Sequence, residues 1–390
     1  MDIYDLSLKK HKNLRGKLEI TPRCKIKSKK DLSLFYTPGV SRPCIEIKHN
    51  ESLSYDLTRK NNLVAVITDG SAVLGLGDIG PSASMPVMEG KCVLFKSFGD
   101  IDAIPICVDT SNVNDFVKTV KNISKSFGGI NLEDIKSPRC FEIEKKLIKE
   151  LDIPVFHDDQ HGTAIVVVAG IINALKVVNK KFSDVEIVIN GAGAAGLAIC
   201  DLLLKFKPKN IILVDKSGAI SKNKGQLNKY HKYYSKFTNK FNEIGDLKKI
   251  IKNKDIFIGV STKNVLNANM IKTMKENSII FALANPIPEI MPNIAKKAGA
   301  KIVATGRSDF PNQVNNLLAF PGIFRGALDV RAKKINDEMI MACTLSIANF
   351  IKEKDLNENN IIPSIFEKGL LKHVSNAVSE IAVKTNVHLV

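Results

Sequence analysis

DVEIVINGAGAAGLAICDLLLKF, residues 184–206, decides the fold. Its first third is a β-branched run that ends at Asn190. Gly191, Ala192, Gly193, Ala194, Ala195 and Gly196 then spell G-x-G-x-x-G, and apolar residues at helical spacing follow. The next apolar run, NIILVDK, carries Asp215 at its end. Strand, glycine turn, helix, strand and terminal acid are the parts of a βαβ dinucleotide-binding unit. In such a unit the first glycine makes the tight turn. The second lets the backbone approach the pyrophosphate, and the third lets helix and strand pack. Backbone N–H groups at the helix start face the phosphates. Asp215 suits ribose hydroxyls and opposes a 2′-phosphate, which favours NAD over NADP. Lys216 and the lysines from Lys222 onward oppose that preference.

A second stretch has the same spelling. AVLGLGDIG covers Ala72–Gly80 and contains Val73, Leu74, Gly75, Leu76, Gly77, Asp78, Ile79 and Gly80. Pro81 and Pro86 argue against a helix after it, and no strand-terminal acid follows at the right distance. It reads as a flexible loop close to a site, with Asp69 and Asp78 as its polar groups.

Outward from these motifs, apolar runs bounded by Gly, Pro, Asp and Ser read as strands at 63–69, 91–98, 103–109 and 153–159. Residues 140–151 and 162–178 read as helices, and NLEDIKSPR as the loop before the first of them. Strands at 255–261, 278–286 and 300–306 continue the second half, and the end from about Ala332 is helical. The expected class is α/β. An N-terminal domain covers 1–160, and a Rossmann-type, doubly wound parallel domain covers 161–390, with C-terminal helices packing back.

Bulk properties bound the function. The 390 residues carry a formal net charge of +17. The positive charge is mostly scattered lysine, so no nucleic-acid partner is expected. Lys222–Phe241 interleaves Lys with Tyr and Phe and reads as a solvated loop and helix. Seven cysteines without a C-x-x-C pair read as free thiols. The N-terminus lacks an apolar leader, and the longest apolar run, near Ala164–Leu175, is too short to span a bilayer. A cytoplasmic protein with no membrane partner is expected.

Two acid pairs stand out: Glu133–Asp134, and Asp158–Asp159 at a strand end. Adjacent carboxylates repel unless a cation joins them. Carboxylates without a cysteine partner suit Mg2+ or Mn2+. His157 and His161 flank the second pair, but H-E-x-x-H is absent, which disfavours zinc. Lys91 heads an apolar run. It is either partly buried, where its pKa falls towards that of a base, or a snorkelling surface lysine. Tyr36 has the same two readings, site or core.

Together, YTPGV, TDGSAVLGLGDIGPSASMPVMEGKCVLFK, DAIPICVDT, LEDIKSPRCFEIE, VFHDDQHGTAIV, INGAGAAG, ALANPIPEI and NNLLAFPGIFRGALDVRA resemble the malic enzymes, in the same order. The chain looks like the short bacterial-type form, from about Asp31 to Ala348. The resemblance implies oxidative decarboxylation of (S)-malate to pyruvate and CO2 with NAD or NADP and Mg2+ or Mn2+, and decarboxylation of oxaloacetate. It implies metal ligation by Glu133, Asp134 and Asp159, with Lys91 as general base, Tyr36 as general acid and Asp158 supporting the lysine. Asn285, Asn315 and Asn316 correspond to residues near substrate and nicotinamide, and the Val73–Gly80 loop to an active-site contact. A homodimer or higher homo-oligomer is implied, with site residues shared between subunits.

One departure concerns substrate binding. Long forms place an arginine where this chain has Ala72. The second malate carboxylate is left to Asn285, Asn315, Asn316, a backbone N–H or the metal. Two alternatives compete: a malolactic reaction that retains NAD and releases lactate, and a non-catalytic dinucleotide- or nucleic-acid-binding protein.

Overall fold

The parallel strand runs form two separate sheets. In the computed structural model, which describes residues 2–73 and 75–390, four strands make the first: β1 (Leu63–Thr68), β2 (Asp102–Cys107), β3 (Gly129–Leu132) and β4 (Val155–His157). Their order is β2-β1-β3-β4, all parallel. Leu74, expected in the glycine loop, lies outside the described residues.

The second sheet contains β5 (Glu186–Asn190), β6 (Asn210–Asp215), β7 (Gly218–Ala219), β8 (Ile256–Gly259), β9 (Ile279–Ala282) and β10 (Ile302–Thr305). The order is β10-β9-β8-β5-β6-β7, and only the short edge strand β7 runs antiparallel. Chain direction across the sheet reverses between β5 and β8, the switch point where such sheets open a ligand crevice. The glycine turn leaves β5 there.

Three sequence expectations fail. Residues 91–98 are not a strand but the second half of a helix, Gly80–Gly99. Pro81 sits in its first turn, where no N–H is needed, and the helix tolerates Pro86. Its buried residues Ser84, Met88, the Lys91–Cys92 pair, Phe95 and Gly99 follow helical spacing, so one helical face packs on the sheet and outweighs the missing hydrogen bond. The expected loop NLEDIKSPR begins too early: Asn131 and Leu132, with Gly129 and Ile130 before them, form the buried strand β3. Residues 158–177 together form a helical stretch long and apolar enough to cross a membrane, because a π-type turn at Asp158–Gly162 lengthens it. It is 72% buried inside the protein, as a core helix is.

That helix, Thr163–Val177, belongs to a core shared by both halves. Phe95, below the first sheet, packs at 4.7 Å from Phe320 and 5.3 Å from Phe324, both in the late helix Phe320–Asp329. Each such ring removes enough apolar surface from water to contribute about 1.5–3 kcal/mol. The late chain therefore returns to cover the first sheet. By contrast, the helices Ile3–Leu14, Lys29–Phe35 and Ser41–His49 bury no residue.

Candidate active site

Parallel neighbours β3 and β4 end side by side, so the residues after them meet. Glu133 and Asp134 follow β3, and Asp158 and Asp159 follow β4. Ligand oxygens of Glu133, Asp134 and Asp159 all lie within 4.8 Å of one another. The Asp134 N–H donates to Asp159 Oδ2 at 2.7 Å, which locks the two strand ends together. Lys91 enters from the Gly80–Gly99 helix. Its Nζ is 2.5 Å from Asp158 Oδ2, 3.0 Å from Glu133 Oε1, and 4.2 Å from the centre of the Phe320 ring. The lysine is 8% exposed and Asp158 fully buried.

The electrostatics follow from one cation among four acids. Burial alone pulls the Lys91 pKa down, but Asp158, Glu133 and Asp159 together outweigh it and hold the group as an ammonium. The expected lowering towards a base therefore does not occur in the metal-free cluster. Burial pushes Glu133 up to about 7 against the pull of Lys91, and pushes Asp159 up to about 6 with help from Asp158. Asp158 Oδ1 and both ring nitrogens of His157 are buried without a hydrogen-bond partner among the described residues. An excess of clustered hard oxygen donors and an unsatisfied buried carboxylate oxygen fit a divalent cation of the Mg2+ or Mn2+ type.

Neighbours hold these groups in place. Asn131 donates to Glu133 Oε2 at 2.8 Å. Asn316 donates to Asp158 Oδ2, so the second half of the chain orients the acid beside the lysine. Asn315 instead caps its own turn, accepting from the Leu317 N–H at 2.9 Å. Asp69 accepts from Ser71 and from Arg139 at 2.6 Å, and Ala72 N–H donates to the Asp134 carbonyl at 2.9 Å. Glu144 accepts from the His157 N–H at 2.9 Å and pairs with His161 at 3.0 Å. Sequence reading passed over Asn131, Arg139, Glu144 and Phe320. Only the helical spacing of Cys140, Ile143, Glu144 and Leu147, buried together, offered a signal for one of them.

Tyr36 is not among the groups around Lys91. It stands 66% exposed at the end of the Lys29–Phe35 helix. The residue before the glycine loop is tied to the acids by the Ala72 N–H on the Asp134 carbonyl, and the loop itself reaches the other half. A Cβ on Gly75 would lie 3.1 Å from the carbonyl of Asn285, which follows β9 in the other half. Its strand and helix neighbours, β1 and Gly80–Gly99, are present after all, so the missing acid is what separates it from the second glycine motif.

The second motif has the full geometry. A Cβ on Gly196 would lie 1.8 Å from the Gly191 carbonyl, so only glycine lets the helix start this close. Gly193 faces open space, where a Cβ would meet nothing within 4 Å, and it caps the Ala194–Leu204 helix without a side-chain hydrogen bond. Phosphate oxygens suit that N-terminus. Gly193→Val is expected to fill this space and weaken NAD(H) binding by at least about tenfold with an unchanged thermal melt, because the pyrophosphate needs close backbone approach there. Titration of protein fluorescence with NADH measures it.

A dinucleotide crevice beside a buried lysine and a carboxylate cluster defines a nicotinamide-dependent, metal-assisted oxidoreductase. Residues 15–148 match the model of the malic enzyme N-terminal domain, and residues 160–387 that of the malic enzyme NAD-binding domain. The chain belongs to the malic enzyme family. It is 52% identical over 388 residues to a bifunctional malic/malolactic enzyme of Bacillus subtilis, covering 99% of this chain and 95% of that one. It is 52% identical over 375 residues to an NAD-dependent malic enzyme of Geobacillus stearothermophilus, covering 96% and 78%. The crystal structure of malic enzyme from Pyrococcus horikoshii superposes with a TM-score of 0.94 at 47% identity, covering 99% and 92%. Other relatives are named for NADP. The chain is thus an NAD(P)-dependent malic enzyme, which oxidises and decarboxylates malate with a divalent metal.

Proposed function

We propose that Lys91, Asp158 and the three carboxylates Glu133, Asp134 and Asp159 carry the conversion of (S)-malate to pyruvate. The proximity of the lysine to the acids supports this reading more than any other observation. A divalent cation held by Glu133, Asp134 and Asp159 would supply positive charge at the malate oxygens, and a dinucleotide whose pyrophosphate sits at the Gly191–Gly196 turn would supply the hydride acceptor. Lys91 Nζ takes the proton of the C2 hydroxyl. For that the amine has to be neutral, and relief of the carboxylate field on substrate and metal binding is what frees its proton. Asp158 aims the amine, and Asn316 and buried packing aim Asp158. Asn285 and Asn316 come from the second half of the chain and would suit the second carboxylate. Residues 1–160 supply the acid–base groups, and 161–390 the cofactor crevice.

Tyr36 is the proposed acid that returns a proton to C3. Its exposure, with that of Leu32, Leu34 and Phe35 on the same helix, supports a homodimer in which it enters the site of the partner copy. Complementation tests both points. Lys91→Ala and Tyr36→Phe homodimers are each expected to be nearly inactive. After the two are mixed and reassembled, half of the dimers are hybrids with one intact site in two, which returns about a quarter of normal turnover. Absence of recovery places Tyr36 and Lys91 in the same subunit's site or removes Tyr36 from the mechanism.

The principal assay is formation of reduced nicotinamide and pyruvate from malate with Mn2+ or Mg2+. The malolactic reading has the Bacillus subtilis relative in its favour. It predicts lactate from malate without net reduced cofactor.

A further inference from the structure

Family membership does not choose between NAD and NADP, so the choice falls to residues at the adenosine end of the crevice. Asp215 ends β6 beside the glycine turn. Its Oδ1 is fully engaged. It accepts from the Ser217 N–H at 2.8 Å, the Ser217 hydroxyl at 2.6 Å and Lys224 Nζ at 3.0 Å. Lys224 is fixed from a second side, donating to the Gly218 carbonyl at 3.1 Å. Lys224 and Asp215 are both about four-fifths buried, with side-chain exposures of 20% and 22%.

The other oxygen is differently placed. His231 Nε2 lies 2.9 Å from the Ala192 carbonyl inside the turn, so that nitrogen carries the hydrogen. Its Nδ1 is 3.8 Å from Asp215 Oδ2, beyond hydrogen-bond reach. Oδ2 is therefore the oxygen left for a ribose hydroxyl. Burial pushes the Asp215 carboxyl up, but the hydrogen bonds from Ser217 and Lys224 outweigh it and keep the group below its ordinary range, ionised.

An ionised acid alone would repel a 2′-phosphate, which carries about −1.5 to −2 charges at neutral pH. Here the acid comes with its own cation. The Asp215–Lys224 pair is neutral as a unit, and an ammonium with two hydrogens committed has a third to donate. Oδ2 can thus accept from a ribose hydroxyl, and the third ammonium hydrogen can donate to a phosphate.

We propose that Lys224 admits the 2′-phosphate of NADP to a pocket otherwise built for NAD, so that this chain uses both cofactors. The assignment rests on the reading of the Gly191–Gly196 turn as the dinucleotide site. It also gives a role to the lysine- and tyrosine-rich stretch 222–241. That stretch supplies Lys224 and His231 to the crevice, and is anchored by Tyr230, whose ring packs tilted at 4.5 Å from that of Phe141.

Calorimetric titration of the intact protein with ADP-ribose and with 2′-phospho-ADP-ribose tests this without turnover. The unmodified protein is expected to bind both, with dissociation constants within about tenfold of each other. Lys224→Ala is expected to move the ratio of the two constants at least about tenfold against the phosphorylated ligand, and Lys224→Arg by less than about threefold. A thermal melt of each variant reports folding, and Lys224→Met replaces the alanine variant if it melts early. An unchanged ratio in the alanine or methionine variant, or unmodified protein that binds ADP-ribose alone, overturns the assignment to Lys224. Unmodified protein that binds neither ligand overturns the dinucleotide reading of the turn, and the assignment with it.

Discussion

Lys91→Ala is expected to reduce turnover of malate by at least about 10²–10⁴-fold, the usual contribution of a positioned general base. Nothing else near the cluster replaces it. The described groups around Lys91 Nζ are acids and the Phe320 ring, none of which accepts a proton from a substrate hydroxyl at neutral pH with similar basicity. The variant also changes stability. It leaves Asp158 and Glu133 buried without their cation, and breaking a buried pair from one side costs about 3–5 kcal/mol. The metal-free variant should therefore melt well below the unmodified protein. Lys91→Met keeps the apolar stem and separates lost packing from lost charge. Steady-state kinetics with saturating malate, NAD and Mn2+ gives the decisive number. Turnover within a factor of about ten of normal in either variant removes Lys91 from the role of base.

Chelation of divalent metal is expected to abolish turnover, and re-addition of Mn2+ to restore both activity and stability. At a hundredfold excess over its dissociation constant a ligand stabilises the folded state by about 2.7 kcal/mol. Asp159→Ala should lose that thermal shift, because it removes one of three clustered oxygen donors and the acceptor of the Asp134 N–H. The effect has a direction in pH. Burial first, with Lys91 opposing it, raises Glu133 to about 7, and burial with Asp158 raises Asp159 to about 6. Protons thus compete with metal below neutrality, and apparent Mn2+ affinity should fall as pH drops from about 8 to about 5, by up to roughly tenfold per pH unit for each proton displaced. The metal-free protein should behave in the opposite sense. Carboxyl pKa values raised above their unfolded values favour the folded state when protonated, so that stability is present at about pH 4 and is lost as pH rises through about 7. Melting curves with and without Mn2+ across that range check both signs. Burial lowers His157 to about 4, which adds stability as pH rises towards about 6.5, so the check lies above that: metal-free protein that gains stability between about pH 6.5 and 8 argues against this picture of the cluster.

What the chain reveals without its structure depends on the range of the forces involved. Residues 184–206 are readable because strand alternation, turn glycines and helical spacing are all local, and they agree with each other. The acid pairs are readable because adjacent carboxylates repel without a cation, although the strand β3 that brings one pair beside the other was not. The helix Gly80–Gly99 was hidden by Pro81 and Pro86, which are local signals, whereas the packing of Met88, Cys92 and Phe95 on the sheet is not local. The same helix put Lys91 in a buried site, but the proton it holds depends on acids from β3 and β4 and could not be read from its own neighbours. Lys224 shows the same limit. Its lysine-rich context resembles any solvated segment, and only the folded chain sets it 3.0 Å from Asp215.

Phe320 lies over Lys91, yet it belongs to a helix that follows both sheets. The first half carries Lys91 and all four acids, but the ring over the lysine and the Asn316 donor to Asp158 both come from beyond the second sheet. A chain cut after the first sheet would keep every charge of the cluster and lose both of these supports.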